Sequence, residues 1–268
     1  MVKKWGITLA IGDGANDVNM INSADVGIGV RGIEGSQATR AADFIITEFK
    51  LLRRLVLYHG TNFYHRNCQV MLYTLYKNMI ITLPNLFYGP LSLFSAIYIY
   101  EIWVIQFYNI FFVSLPIFYY GVFDVLFSYS TIKKKPELYI NGQKDKYFNY
   151  QILVIILLES SLLSFFVLYL VYYSSELVLC EKGLMVYEQW SGNLVMAVIV
   201  ISCNVRVVLM SHQLSIVQGF LCLIGPLLYF LIFEVIGLII PTDSSDTLSH
   251  QMSTGLYWIL LISSVFII

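Results

Sequence analysis

Residues Thr8–Val30 read TLAIGDGANDVNMINSADVGIGV. An apolar run ends in Gly12-Asp13, the short amphipathic turn VNMINSA follows, and VGIGV is a second apolar run of strand length. ADFIIT, from Ala42, reads as a third strand. Short strands alternating with short helices imply a parallel α/β sheet, whose ligands sit at the carboxyl ends of the strands. Asp13 stands at such an end. Three strands are too few to bury a core of their own, so this segment predicts a partial α/β domain.

What lies outward of it is of a different class. Of 268 residues, 58% are hydrophobic and 12% charged, and the mean hydropathy is +0.72. Soluble domains use roughly 45–50% apolar and about 25% charged residues, so the chain reads as a membrane protein. The net charge of −1 says little, because the charges are segregated. Basic residues lie up to Lys77, and most of the others gather in one loop as Lys133, Lys134, Lys135, Lys144 and Lys146. That segregation sets topology, and no nucleic-acid partner is expected. The cysteines (Cys68, Cys180, Cys203, Cys222) lack metal-ligand spacing and read as small hydrophobes.

From Phe49 to about Gln69, Leu51, Leu52, Leu55 and Val56 recur at helical spacing beside Lys50, Arg53 and Arg54, which predicts a stalk helix entering the bilayer. Six spans of about 20 residues follow, near 70–91, 99–123, 149–173, 190–210, 214–237 and 250–268. The domain reading is therefore 1–48 partial α/β domain, 49–69 stalk, and 70–268 membrane domain with a loop at about 126–148. Positive-inside logic places the five-lysine loop in the cytosol against the single Lys182 of the next loop. An even number of crossings then makes the amino-terminal segment cytosolic, with the loops near Ser92–Ile97, Ser174–Gln189 and Pro241–Ser249 outward.

Chemistry concentrates in GDGAND. Asp13 and Asp17 set two hard carboxylates on one tight loop, with Gly12 and Gly14 allowing the turn and Asn16 beside them, a donor set suited to Mg²⁺. An ordinary Asp-Gly turn is the plain alternative for the hexapeptide alone. Lys77, inside the first span, needs a cavity or partner unless it snorkels to the interface. Asn78 and Asn85 share a helix face, as do Gln106 and Asn109, and interhelical bonding explains Asn85 and Gln106. Pro84 is expected to kink the first span and free a backbone carbonyl. Glu159 and Glu234 are lone carboxylates within spans, either functional or packing residues. Arg206 is expected to snorkel, and His59 and His65 to be surface or packing residues without metal-ligand partners.

GDGANDVNMI with ADVGIGVRGIEGSQATRAADFIITEF resembles the end of the phosphorylation domain of P-type ATPases, a branch of the haloacid-dehalogenase-like phosphotransferases. GIEGSQA, LLRRLVLYHGTNFYHR, LYKN, YNIFFVSLPIFYYGVFD and KKKPELYINGQKDKYFN resemble the type IV branch, the phospholipid flippases. The likeness is strong from about Val2 to Phe148 and by pattern beyond. It implies a multi-pass α-helical membrane protein of six spans with a partial haloacid-dehalogenase-like α/β domain at the amino terminus. It further implies that Asp13 and Asp17 hold Mg²⁺, that Gly12, Gly14 and Asn16 belong to the ATP- and phosphate-site loop, and that Lys77, Asn78 and Asn109 serve lipid transport. The implied partners are a phospholipid, the membrane and a glycosylated accessory β-subunit. The implied cofactors are Mg²⁺ and ATP, and the implied location is the plasma membrane or Golgi and endosomal membranes of a eukaryote.

The family's phosphorylated aspartate, nucleotide-binding domain, actuator domain and first four spans have no counterpart in these residues, so no catalytic nucleophile is assigned. Val125-Leu126-Phe127 also stand where the family commonly has further acids. The expected function is part of an ATP-driven aminophospholipid translocase, outer or lumenal leaflet to cytosolic leaflet, inactive as this chain alone. Whether Met1 is a true start or an internal residue stays open. A non-catalytic truncated membrane protein is the alternative from another class. A cation-transporting P-type ATPase would want carboxylates along the first two spans, where this chain offers Lys77, Asn78 and Asn109.

Overall fold

The computed structural model describes residues 6–31, 37–176, 188–239 and 255–266. Two compact units divide the chain: residues up to Phe63 with Phe127–Ile140, and Tyr64–Leu126 with residues from Asn141 onward. In the first, β1 (Leu9–Gly12), α1 (Val18–Ser23), β2 (Val26–Val30), α2 (Gln37–Ala41) and β3 (Phe44–Ile46) alternate along the chain. The strands pair in parallel in the order β1-β2-β3, Leu9 opposite Val26 and Ile28 opposite Phe44. Helices α1 and α2 lie against β2 and bury Ile21, Ala38 and Ile28. Successive strand residues face opposite sides, so Ile46 is buried while Ile45 is 60% exposed. One side of the sheet is thus left uncovered by the described residues.

Over the stretch expected as a stalk helix, 49–69, the backbone is helical with a change of winding. A 3₁₀ turn, Phe49–Leu51, leads into wider π turns over Arg54–Gly60, and α3 runs as regular helix from Thr61 to Leu91. At the junction the Thr61 hydroxyl donates to the Leu57 carbonyl at 2.6 Å, and the Asn62 amide to the Tyr58 carbonyl at 3.0 Å. Side chains thereby bond carbonyls of the widened turn. Asn62 also grips the lysine loop, donating to the Phe127 carbonyl at 3.2 Å and accepting from its N–H at 3.1 Å. The loop's first helix, α6 (Tyr129–Lys134), is capped by Ser128 and packs Tyr129 under Arg54, 5.3 Å from the ring centre.

In the second unit, α4 (Ile102–Phe107) passes through a π turn, Tyr108–Phe112, into α5 (Ser114–Phe123). Past α6, α7 (Ile140–Gln143) closes the lysine loop. There follow α8 (Tyr150–Glu176), α9 (Glu188–Met210), α10 (Ile216–Ile239) and α11 (Gly255–Phe266). Among the described residues, four stretches are long and apolar enough to cross a membrane: Ile102–Phe123, Tyr150–Ser174, Ser191–Met210 and Ile216–Val235. The protein is an integral membrane protein on that ground. Of the other two expected spans, α3 carries Lys77, Asn78 and Asn85, which lower its hydropathy, and α11 has 12 described residues. Cys180, Lys182 and the expected outward loop 241–249 lie outside the described residues, as does most of 174–189.

Helix α9 is the centre of the bundle. The chain buries 67% of its apolar stretch but only 28–33% of the other three. Its entry, Ser191-Gly192-Asn193, is small-sided, which lets neighbouring backbones approach. Elsewhere along the apolar helices, large side chains such as Leu158, Leu162, Leu223 and Leu227 stay uncovered, as a lipid-facing surface requires.

Candidate functional site

The Gly12–Asp17 loop is built by Asp17. One of its carboxylate oxygens accepts the main-chain N–H of Asp13 at 3.1 Å and of Gly14 at 3.3 Å, so the carboxylate itself folds the loop. Asp13 projects, exposed, from the carboxyl end of β1, and Asn16 is exposed beside it. A projecting carboxylate and a second one with one oxygen left over are a hard-oxygen set, which fits Mg²⁺ as a partly hydrated ion. Asp17 would reach such an ion only through the oxygen its loop does not use.

Gly12 leaves no choice of residue. A Cβ there would lie 2.3 Å from that of Asp17. Gly12→Ala is expected to destabilise this loop by about 1–3 kcal/mol through overpacking. Hydrogen exchange would read it as faster exchange of the Asp13 and Gly14 amides, with the Ile28 amide of β2 unchanged.

In the second unit, two of the three lysine and amide candidates meet. Lys77 Nζ donates to Asn109 Oδ1 at 3.1 Å, a partner on the next helix. The Tyr108 hydroxyl donates to the Lys77 carbonyl at 2.9 Å and lies 3.2 Å from Cys203 Sγ. Asn78 is exposed one position along α3, outside that bond. Asn85 accepts the Ile99 N–H at 3.2 Å, the packing role expected of it, and Gln106 is exposed.

Prolines shape both helices at this level. A proline cannot donate to the carbonyl four residues back. For Pro84 that carbonyl belongs to Ile80, and the Ser164 hydroxyl approaches it at 3.5 Å, the outer limit of a bond. For Pro116 it belongs to Phe112, and the Asn204 amide donates to it at 3.1 Å. Gly225 is required beside it, since a Cβ there would lie 2.3 Å from the Phe112 oxygen. The freed carbonyl of Pro84 was legible in advance; Asn204 as the partner for Pro116 was not.

Arg206 does not snorkel. Its guanidinium makes a two-pronged ion pair with Glu159, Nη1 to Oε1 and Nη2 to Oε2, the latter at 3.1 Å, and lies 5.1 Å from the centre of the Tyr76 ring. A carboxylate and a guanidinium among apolar helices neutralise each other, so Glu159 is a packing residue paired across α8 and α9. A carboxylate and an arginine in two successive long spans were the available signal. Glu234 is exposed on α10. His65, expected to lack ligand partners, is buried and lies beside Asp124 and His212.

A family profile described as the C-terminal domain of phospholipid-translocating P-type ATPases matches residues 39–268. The chain is 42% identical over 156 residues to phospholipid-transporting ATPase IK of Homo sapiens, covering 58% of this chain and 12% of that protein. It is 37% identical over 227 residues to phospholipid-transporting ATPase DNF1 of Saccharomyces cerevisiae, covering 84% and 14%. With phospholipid-transporting ATPase DRS2 of the same yeast, it is 44% identical over 147 residues, covering 55% and 11%. The chain thus spans 11–14% of the length of these relatives. Since the profile takes in all the membrane helices described above, the chain belongs to the phospholipid-translocating P-type ATPases and matches their C-terminal domain.

Proposed function

We propose that this chain supplies the membrane helices and the last phosphorylation-domain strands of an ATP-driven phospholipid flippase. The observation that carries this reading is the Lys77–Asn109 bond between α3 and the π turn ahead of α5, in a chain whose residues 39–268 match the flippase C-terminal domain. A cation and an amide so placed offer hydrogen bonds to a phosphate-bearing headgroup, and they do not offer the carboxylates a cation pump needs. The relatives' names as phospholipid-transporting ATPases support a phospholipid as cargo, and aminophospholipids or related lipids are the class proposed within it.

In this reading α3 and α11 complete a set of six spans, the stalk is 49–69, the membrane domain is 70–268, and the amino-terminal segment lies in the cytosol with the loop at about 126–148. The uncovered side of the β1-β2-β3 sheet suits the rest of a haloacid-dehalogenase-like domain carrying the nucleophilic aspartate and the ATP site. Mg²⁺, when bound, would offset charge on a phosphoryl group during its transfer. Asp13 and Asp17 would hold it, and Gly12, Gly14 and Asn16 would shape the loop. The accessory β-subunit would dock on the outward side, in the plasma membrane or Golgi and endosomal membranes.

Lipid-stimulated ATP hydrolysis by the full-length protein in vesicles tests the transport site. Lys77→Ala is expected to raise the lipid concentration for half-maximal stimulation by about tenfold, the equivalent of one charge-assisted hydrogen bond of about 1.5 kcal/mol. Half-maximal stimulation at the same lipid concentration as the unmodified protein would remove Lys77 from the lipid route.

A further inference from the structure

Apart from the Gly12–Asp17 loop and the Lys77–Asn109 pair, the described residues hold one close group of metal-ligating side chains. His65 in the first turns of α3, Asp124 just past α5, and His212 between α9 and α10 bring their ligand atoms within 4.8 Å of one another. Asp124 is 2% exposed. One carboxylate oxygen accepts the main-chain N–H groups of His212 at 3.0 Å and Gln213 at 3.1 Å, which fixes the carboxylate's plane. The other oxygen makes no hydrogen bond and faces His212 Nδ1 at 3.5 Å. His65 is 3% exposed, and its Nδ1 has no hydrogen-bond partner either.

A buried carboxylate oxygen and a buried imidazole nitrogen left without hydrogen bonds are costly. Arg66 directs Nη1 to the main-chain carbonyls of Val122 and Asp124 and not to the carboxylate. Within this group, then, two lone-pair donors without hydrogen-bond partners converge with a third.

We propose that His65, Asp124 and His212 bind a divalent transition-metal ion of the zinc type, which ties α3, the end of α5 and the α9–α10 turn together. Two imidazoles and one carboxylate form a three-ligand set that leaves a fourth position for water. In a tetrahedral site with ligand bonds of about 2.0–2.1 Å, ligand atoms lie roughly 3.3 Å apart. The 3.5 Å separation of Asp124 and His212 already meets that spacing, and His65 needs a short approach. Tyr147 packs edge-on against His65 and holds its ring. The His212 side chain is 43% exposed and provides the entry path. Joining these three elements would restrain any movement of α3 against α5, whether or not the chain moves lipid.

The test uses the full-length protein, purified in detergent, stripped with chelator and titrated with Zn²⁺ alone. Expected are one retained Zn²⁺ per protein by elemental analysis above the content of the His65→Ala/His212→Ala variant, and a Zn²⁺-dependent rise in thermal midpoint that this variant lacks. Asp124→Asn keeps an acceptor for the His212 and Gln213 N–H groups and should weaken the apparent affinity by at least about 10–100-fold, the loss seen when even an outer partner of a ligand is removed. His212→Ala, altered at a half-exposed turn position, guards against a folding defect at His65. Equal Zn²⁺ content and equal thermal response in all four proteins would overturn the site. Since binding and unfolding are read without turnover, failure here is separable from failure of the flippase reading.

Discussion

Asp13→Asn in the full-length protein is expected to lower lipid-stimulated ATP hydrolysis by about two to three orders of magnitude, as loss of several kcal/mol of metal-borne charge stabilisation requires. The substitution separates chemistry from folding unusually well. The Asp13 side chain is exposed and takes no part in closing its loop; its main-chain N–H, which an asparagine retains, donates to Asp17. The loop should therefore keep its shape while the projecting carboxylate becomes a neutral amide. Asp17→Asn should be different in kind. It removes the negative acceptor of two N–H groups, and loop order and turnover should fall together. The measurement is steady-state hydrolysis across a Mg²⁺ titration, with hydrogen exchange of the Asp13 and Gly14 amides alongside. Normal turnover by Asp13→Asn at low Mg²⁺ would show that this carboxylate holds no metal.

The difference between those two aspartates marks where sequence reading ends. The alternation of strand and helix between Thr8 and Thr47 was legible because period and punctuation are local properties, and β1, β2 and β3 lie within the expected runs. That Asp17 serves its own backbone was not legible, since spacing cannot tell a ligand from a staple. The same limit runs through the membrane helices. Lys77 and Asn109 could each be singled out as polar groups in apolar surroundings, but their bond spans 32 residues and depends on the π turn that places Asn109. Arg206 looked like a snorkelling residue because its depth was judged along α9 alone, whereas Glu159 and Tyr76 reach it from two other helices. His65 is brought near Asp124 and His212 by the fold, 59 and 147 residues away along the chain, a proximity that spacing does not show. The stalk's hydrophobic pattern matched a regular helix, but apolar spacing does not distinguish α from π turns when side chains such as Thr61 and Asn62 bond the carbonyls.

The Glu159–Arg206 pair carries the second large effect, on stability. Arg206→Met removes one partner of a half-buried, two-pronged pair and leaves Glu159 without it among apolar helices, and is expected to destabilise the protein by about 1–3 kcal/mol, the cost of leaving a polar group unsatisfied. Glu159→Gln should be milder. The guanidinium keeps its stacking on Tyr76, worth up to about 2 kcal/mol when desolvated, and a glutamine oxygen can still accept one of its N–H bonds. The double variant, Glu159→Gln/Arg206→Met, has no charge left to desolvate and should be more stable than Arg206→Met alone. The ordering follows from the asymmetry between removing one partner and removing both. Thermal unfolding of the purified full-length variants in a single detergent gives the three midpoints. A double variant no better than Arg206→Met would mean that the two groups are not coupled. The expected order would make the pair a structural clasp between α8 and α9, holding the most buried of the apolar stretches in register with its neighbour.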